Sequence, residues 1–261
     1  QNFANWYSYH RNRIFASRAG IGSAFSAQPE NMRVGYGAIN TGGTVIDGVR
    51  PFSGTDRTDF FQNLYLQDIP PQGTPLRRAL DGAGQYFSRT DSAGPWSSPP
   101  GQLGGMDIEC RQSYAIMMTD GSASGGTAFD ADGDRRDNND GSVDNSMTIV
   151  NPVPGGSNYS YVPSAPFTDG RNDTIADVAM YYWKRDLRTD LPNLVRTTEI
   201  NPAFWQHMVT FGVGLGVSGS IDPAAAFAAI DTAAPIVWPD PGYGSPNCAG
   251  DQCLARSDDV L

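Results

Sequence analysis

Hydrophobic and polar positions follow a helical period at the start of the chain. Phe3, Trp6, Tyr7, His10, Ile14, Ala19 and Phe25 recur at three- and four-residue intervals, with Arg11, Arg13 and Arg18 on the other side. This predicts one amphipathic helix over residues 2–25. His10 reads as a surface or packing residue of that helix. The strings MRVGYGAIN and TVIDGV, joined by Thr-Gly-Gly, predict two short strands in an edge hairpin. TDRTDFFQNLYLQ predicts a short helix. After Gly73-Thr74-Pro75 the stripe Leu76, Leu80, Ala83 and Phe87 predicts another, with Thr74 at the N-cap and Pro75 at the first helical position. Thr74 is thus a helix cap or, alternatively, a hydroxyl placed to face a metal ion over a sheet. Residues 88–109 are rich in Ser, Pro and Gly without a period, which predicts a long surface loop.

The stretch YAIMMTDGSASGG, Tyr114 to Gly126, runs apolar for five residues and then meets Asp120-Gly121. It reads as a strand of a parallel sheet entering its carboxyl-end loop, the place where open α/β sheets hold ligands. The simpler reading of Asp120-Gly121 is turn chemistry. Further on, TIADVAMYYWKRDLR carries Ile175, Val178, Ala179, Tyr182 and Leu187 on one face. It predicts a helix capped by Asn172 or Asp173, with Lys184, Arg185 and Arg188 toward its dipole-negative end. A second apolar strand is predicted over Met208–Val213, a short helix from Pro223 and a last edge strand at IVWPD. The order helix, hairpin, helix, strand, helix, strand, helix is that of a doubly wound α/β sheet, mostly parallel with one antiparallel edge strand. Residues 1–239 form the expected domain and 240–261 a Cys-containing tail leading toward a further helix.

Composition narrows the function. With 261 residues, 30 Gly and 19 Pro, the chain can bury a core and still carry long loops. Its net charge of −10 disfavours nucleic acid or an anionic membrane as partner. No apolar run approaches the roughly 18 residues of a membrane span. The N-terminus shows no basic-then-apolar signal pattern, and the chain opens inside a helix-like stretch, which reads as a processed or excised fragment. Cys248 and Cys253 could close a small disulfide loop or remain two thiols, and Cys110 has no evident partner. The most charged stretch, FDADGDRRDNNDGSVDN, sets Asp130, Asp132, Asp134, Asp137 and Asp140 at two- and three-residue spacing. Such spacing suits Ca²⁺, which takes six to eight oxygens. The alternative is a solvated Asp/Gly loop. It is not a regular EF-hand, because Arg135 stands at the sixth position and Gly141 at the twelfth. There is no Gly-x-Ser-x-Gly elbow, no Cys with a plausible base and no phosphate loop. Gly212-x-Gly214-x-Gly216 is followed by SGSIDP and not by a helix start, so it is no dinucleotide fingerprint. Catalysis is therefore not expected.

Taken together, the Gly-Thr-Pro-Leu-x-x-Ala-Leu helix, the strand ending Met-Thr-Asp-Gly and the Val-Thr-Phe-Gly-Val-Gly strand resemble the von Willebrand factor A domain. QNFANWYSYHRNR, CRQSYAIMMTDG, TIADVAMYYWKRDLR and NPAFWQHMVTFGVGLGV are similar to the N-terminal region of the PilY-type family of type IV pilus tip-associated adhesins and biogenesis factors. The likeness covers most of residues 1–238. It implies a Rossmann-like fold of the von Willebrand A type and a non-enzymatic cell-surface module that supports pilus biogenesis and adhesion. Minor pilins or the tip complex, and a host or surface receptor, are the implied partners, at an extracellular location reached through the periplasm. The alternative class is a secreted metal-dependent enzyme or chelatase-type subunit of the same fold. The resemblance further implies a site for Mg²⁺ or another divalent ion made from three loops, with Thr74 in the second and Asp120, beside Ser122, in the third. The first loop, Asp-x-Ser-x-Ser, is expected before the first helix, and no such motif precedes Trp6. The implied ion site is therefore incomplete here and the fold's first strand missing. Asp120-Gly121-Ser122-Ala123-Ser124 spells the motif itself, but GGTAFDADGD after it cannot start the helix a first loop requires.

Overall fold

The computed structural model describes residues 2–70, 73–101, 105–119, 137–141, 147–216 and 221–238. The first aromatic stretch forms two helices, α1 (Asn2–His10) and α2 (Arg13–Ser26), and not the single helix its period predicts. Asn12 is the reason: its side chain accepts the Phe15 amide at 2.9 Å and starts a new helix. The aromatic face of α1 is not buried; Phe3, Trp6, Tyr7 and Tyr9 are all exposed.

The hairpin is present as β1 (Arg33–Gly37) and β2 (Val45–Pro51), antiparallel. It packs with α3 (Gly54–Leu66) around buried Phe52, Phe60 and Leu64, with Phe25 of α2 completing the cluster. Next, α4 (Leu76–Phe87) buries the expected Leu76, Leu80 and Phe87. Its N-cap position is Pro75, so Thr74 lies one residue outside the helix and does not cap it. Residues 88–109 are more than a surface loop. They contain the small antiparallel pair β3 (Ser97–Ser98) and β4 (Met106–Asp107), and Trp96 is buried with its indole N–H donating to the Phe87 carbonyl at 2.7 Å.

The predicted strands pair in parallel as β5 (Tyr114–Thr119) and β8 (Val209–Gly214), in register from Tyr114↔Val209 to Thr119↔Gly214. Between them lie the pair β6 (Thr148–Ile149) and β7 (Tyr159–Ser160) and the helix α5 (Ile175–Lys184). α6 (Pro223–Thr232) starts at the predicted proline, with the Asp222 side chain accepting the Ala224 amide. The segment up to Trp238 is not a strand; the Trp238 indole N–H instead donates to the Pro166 carbonyl at 2.7 Å.

The main core joins α4, α5 and one face of the β5–β8 pair. Leu76, Leu80, Phe87, Met117, Ile175, Val178, Tyr182 and Met208 form one buried cluster. Each such side chain stabilises the fold by about 1.5–3 kcal/mol on burial. The two helices lie unusually close, since a Cβ on Gly84 would overlap the Tyr182 ring. Arg77 reaches Asp173, just ahead of α5, through an ion pair and a 2.8 Å hydrogen bond to its carbonyl, while the Tyr182 hydroxyl donates to Asp81 at 2.6 Å. The first tie sets the start of α4 beside the start of α5, and the second joins the last turn of α5 to the middle of α4. The fold is mixed α/β. Among the described residues, however, the strands make four separate two-stranded ladders and not one doubly wound sheet. Local pairing accounts for three of them; only β5–β8 needs a crossover, which α5 supplies on one face.

Candidate functional site

The acid-rich stretch ends in the fold at a turn, residues 137–141, packed against the start of α5. Thr174 is the N-cap of α5, and neither Asn172 nor Asp173 is. Its hydroxyl accepts the Asp177 amide at 3.0 Å, while Asp177 accepts the Thr174 amide at 2.9 Å, a complete capping box. Asp173 is excluded from the cap by its left-handed backbone, φ 60°.

Asp177 also receives the Asn139 amide at 2.7 Å, which docks the turn onto the helix. Lys184 is buried and donates to the Asn139 carbonyl at 2.6 Å, with its ammonium 4.9 Å from the Tyr161 ring centre. Arg185 donates to Asn139 Oδ1 at 3.0 Å, and the Tyr161 hydroxyl donates to the Asp140 carbonyl at 2.6 Å. Lys184 and Arg188 are therefore internal ties and not solvent-facing partners of the helix dipole. Arg188 is buried between Asp107 and Asp190, at 2.5 Å and 2.8 Å.

Electrostatics single out two carboxylates here. Burial, reinforced by Asp177 and Asp169, pushes the Asp140 carboxyl up to about 7. Burial raises Asp177 to about 6 in spite of the hydrogen bonds from Thr174 and Asn139. Tyr161 is raised as well, chiefly by burial and then by Asp140. Asp140 Oδ1 accepts the Asp169 amide at 3.2 Å, and its Oδ2 is buried with no hydrogen-bond partner.

Of the residues singled out by sequence, Thr74 precedes the N-cap of α4, and Asp140 sits in the turn that docks on Asp177 of α5. Asp137, by contrast, is exposed. Thr119, the last residue of β5, is buried opposite Gly214, and its carbonyl accepts the Leu215 amide at 2.8 Å, so the carboxyl ends of β5 and β8 are paired. Asp120, Ser122, Asp130, Asp132 and Asp134 lie outside the described residues, as do Cys248 and Cys253. Cys110 is an exposed free thiol. Among the described residues no three His, Cys, Asp or Glu side chains converge into a metal-binding cluster, and no helix is long and apolar enough to cross a membrane. Sequence reasoning missed Asp169, Asp177 and Lys184 as parts of this region. The Thr-x-x-Asp spacing of 174–177 was the available signal for one of them.

The strings that resemble the pilus family lie on α1, β5, α5 and β8. Comparison of the whole chain agrees with them. It is 32% identical over 249 residues to the type IV pilus biogenesis factor PilY1 of Pseudomonas aeruginosa strain PAO1, covering 85% of this chain and 20% of that protein. The chain is homologous to PilY1 over this region. It is similarly 32% identical over 247 residues to the protein of that name from strain PAK, and 34% identical over 244 residues to that from strain UCBPP-PA14. The chain thus spans about a fifth of the length of the curated relatives it matches. No family model and no solved structure matches it.

Proposed function

We propose that this chain is a non-enzymatic surface module of a type IV pilus tip protein that supports pilus biogenesis and adhesion. The observation that carries the reading is the similarity to PilY1 along 85% of the chain, since a match of that extent follows the core and not one motif. Its partners are the minor pilins or the tip complex and a surface receptor, at the outside of the cell envelope. Divalent cations act through loops at one end of the fold. Thr74, Asp120 and Ser122 contribute to a Mg²⁺-type site in a von Willebrand A-like arrangement. The acidic stretch Asp130, Asp132, Asp134, Asp137 and Asp140 takes Ca²⁺. The paired carboxyl ends of β5 and β8, which Asp120 follows in the sequence, support the first assignment, and the docked Asn138–Gly141 turn supports the second.

The test is an Asp120→Ala substitution in the full-length protein in its native host. Divalent-ion binding, surface piliation and adhesion should all fall. Wild-type piliation and adhesion together with unchanged ion binding would remove Asp120 from the function.

A further inference from the structure

We propose that Asp140 and Asp169 together hold a hard divalent cation that clips the 137–141 turn to the segment preceding α5. Asp140 is 2% exposed, and its Oδ2 has neither a hydrogen-bond donor nor an ion-pair partner among the described residues. A buried carboxylate oxygen in that state is costly unless a proton or a cation neutralises it. The surrounding groups offset it only in part: Lys184 favours the ionised Asp140, but burial, Asp177 and Asp169 outweigh it. Asp177 faces Asp140 as a second acid, and its two oxygens are taken by Asn139 and by Thr174. Lys184, the last residue of α5, and Arg185 after it both donate to Asn139, to its carbonyl and to its side-chain amide oxygen.

Asp169 is placed to share an ion with Asp140. Its backbone N–H already donates to Asp140 Oδ1 at 3.2 Å, which brings the two residues together. One carboxylate oxygen of Asp169 accepts the Arg171 amide at 2.6 Å, and the residue is only partly buried, open to the water that would fill the remaining positions. All available donors are oxygens, the set preferred by Ca²⁺ and disfavoured by zinc or copper. With two carboxylates and otherwise neutral ligands, the affinity belongs to the weak range of extracellular modules, about 10⁻⁴–10⁻³ M. The proposal rests on the reading of the acidic stretch as a cation loop only through Asp140. Asp169 lies 29 residues away from it along the chain.

The experiment uses the 261-residue chain stripped with chelator, with Ca²⁺ followed by calorimetry and by the thermal midpoint. Wild type should bind Ca²⁺ and gain thermal stability. Asp140→Asn and Asp169→Asn should remain folded by circular dichroism, yet each should weaken binding by at least about tenfold and lose the Ca²⁺-induced gain. Wild-type binding by Asp169→Asn overturns the clip. If Asp132→Asn removes binding at the same time, the acidic loop binds the ion by itself and the broader reading stands. A wild-type chain with no Ca²⁺ response overturns both, and a proton then neutralises Asp140.

Discussion

His207 is 2% exposed and stands beside Trp183 and Trp205 in a tight aromatic cluster. Its Nδ1 lies 2.7 Å from the Trp205 carbonyl and its Nε2 lies 2.9 Å from Asn201 Nδ2. One donor and one acceptor are needed, so the neutral ring protonated at Nδ1 satisfies both partners. Burial accordingly lowers its pKa from the ordinary 6.5. A depressed folded pKa means that the unfolded chain takes up the proton first as pH falls. The contribution to stability is therefore present above about pH 6.5 and is lost on acidification below it. Between pH 7 and pH 5 the unfolding midpoint should drop more steeply for wild type than for His207→Gln; parallel curves would place the pH dependence in other groups. The acidic stretch makes a similar point about single residues. Spacing identified Asp137 and Asp140 alike as oxygen donors, but only packing decides that the first meets solvent and the second is buried beneath Tyr161 and α5.

At the scale of elements, the α4–α5 contact depends on Gly84, where the missing side chain lets the Tyr182 ring lie against the helix backbone. Gly84→Ala would improve helix propensity by roughly 1 kcal/mol in isolation. Packing opposes it more strongly: displacing a fully packed ring that also donates to Asp81 should cost about 1–3 kcal/mol. Urea unfolding should therefore show a net loss of stability, and a gain would mean that the helices can part without penalty. The same two helices were legible in the sequence through the stripes Leu76-Leu80-Phe87 and Ile175-Val178-Tyr182. Their ends were less so. Asn172, Asp173 and Thr174 are all chemically able to cap, and the choice of Thr174 follows from the reciprocal bond with Asp177 and the left-handed turn at Asp173. Likewise Asn12 interrupts an aromatic period that would otherwise continue from α1 into α2.

For the whole molecule, the notable feature is that, among the described residues, the core covers one face of the β5–β8 pair while the other carries exposed apolar side chains. Ala115 and Met117 look into the α4–α5 core. On the other face, Ile116 is 60% and Phe211 51% exposed, with Tyr114 6.1 Å from Phe211, ring to ring. Parallel strands generally have both faces covered, and an apolar patch of this kind binds hydrophobic probes. Replacing Ile116 and Phe211 together with Thr puts a strand-favouring, β-branched residue at both positions. Each change should alter unfolding free energy by no more than about 0.5 kcal/mol, as for surface positions, while fluorescence of an apolar dye bound to the native chain should fall. Undiminished dye fluorescence would locate the dye-binding surface elsewhere, with the exposed aromatic face of α1 the next surface to examine.

The sequence by itself determined the local elements: the α3, α4, α5 and α6 helices, the β1–β2 hairpin, and β5 and β8 as apolar strands. Side-chain direction along a helix or strand is a property of a few neighbouring residues, so period and turn chemistry suffice to reveal it. The four long strings also carried the relationship to the pilus family, because order and spacing along the chain survive without knowledge of contacts. Tertiary structure alone decided what lies far apart in sequence. Among the described residues it split the strands into four ladders, gave β5 and β8 one shared register, buried Lys184 and Arg188, and brought Asp169 to Asp140. Burial and hydrogen-bond satisfaction depend on partners tens of residues away, and no local pattern around Asp140 records whether its second oxygen will find one.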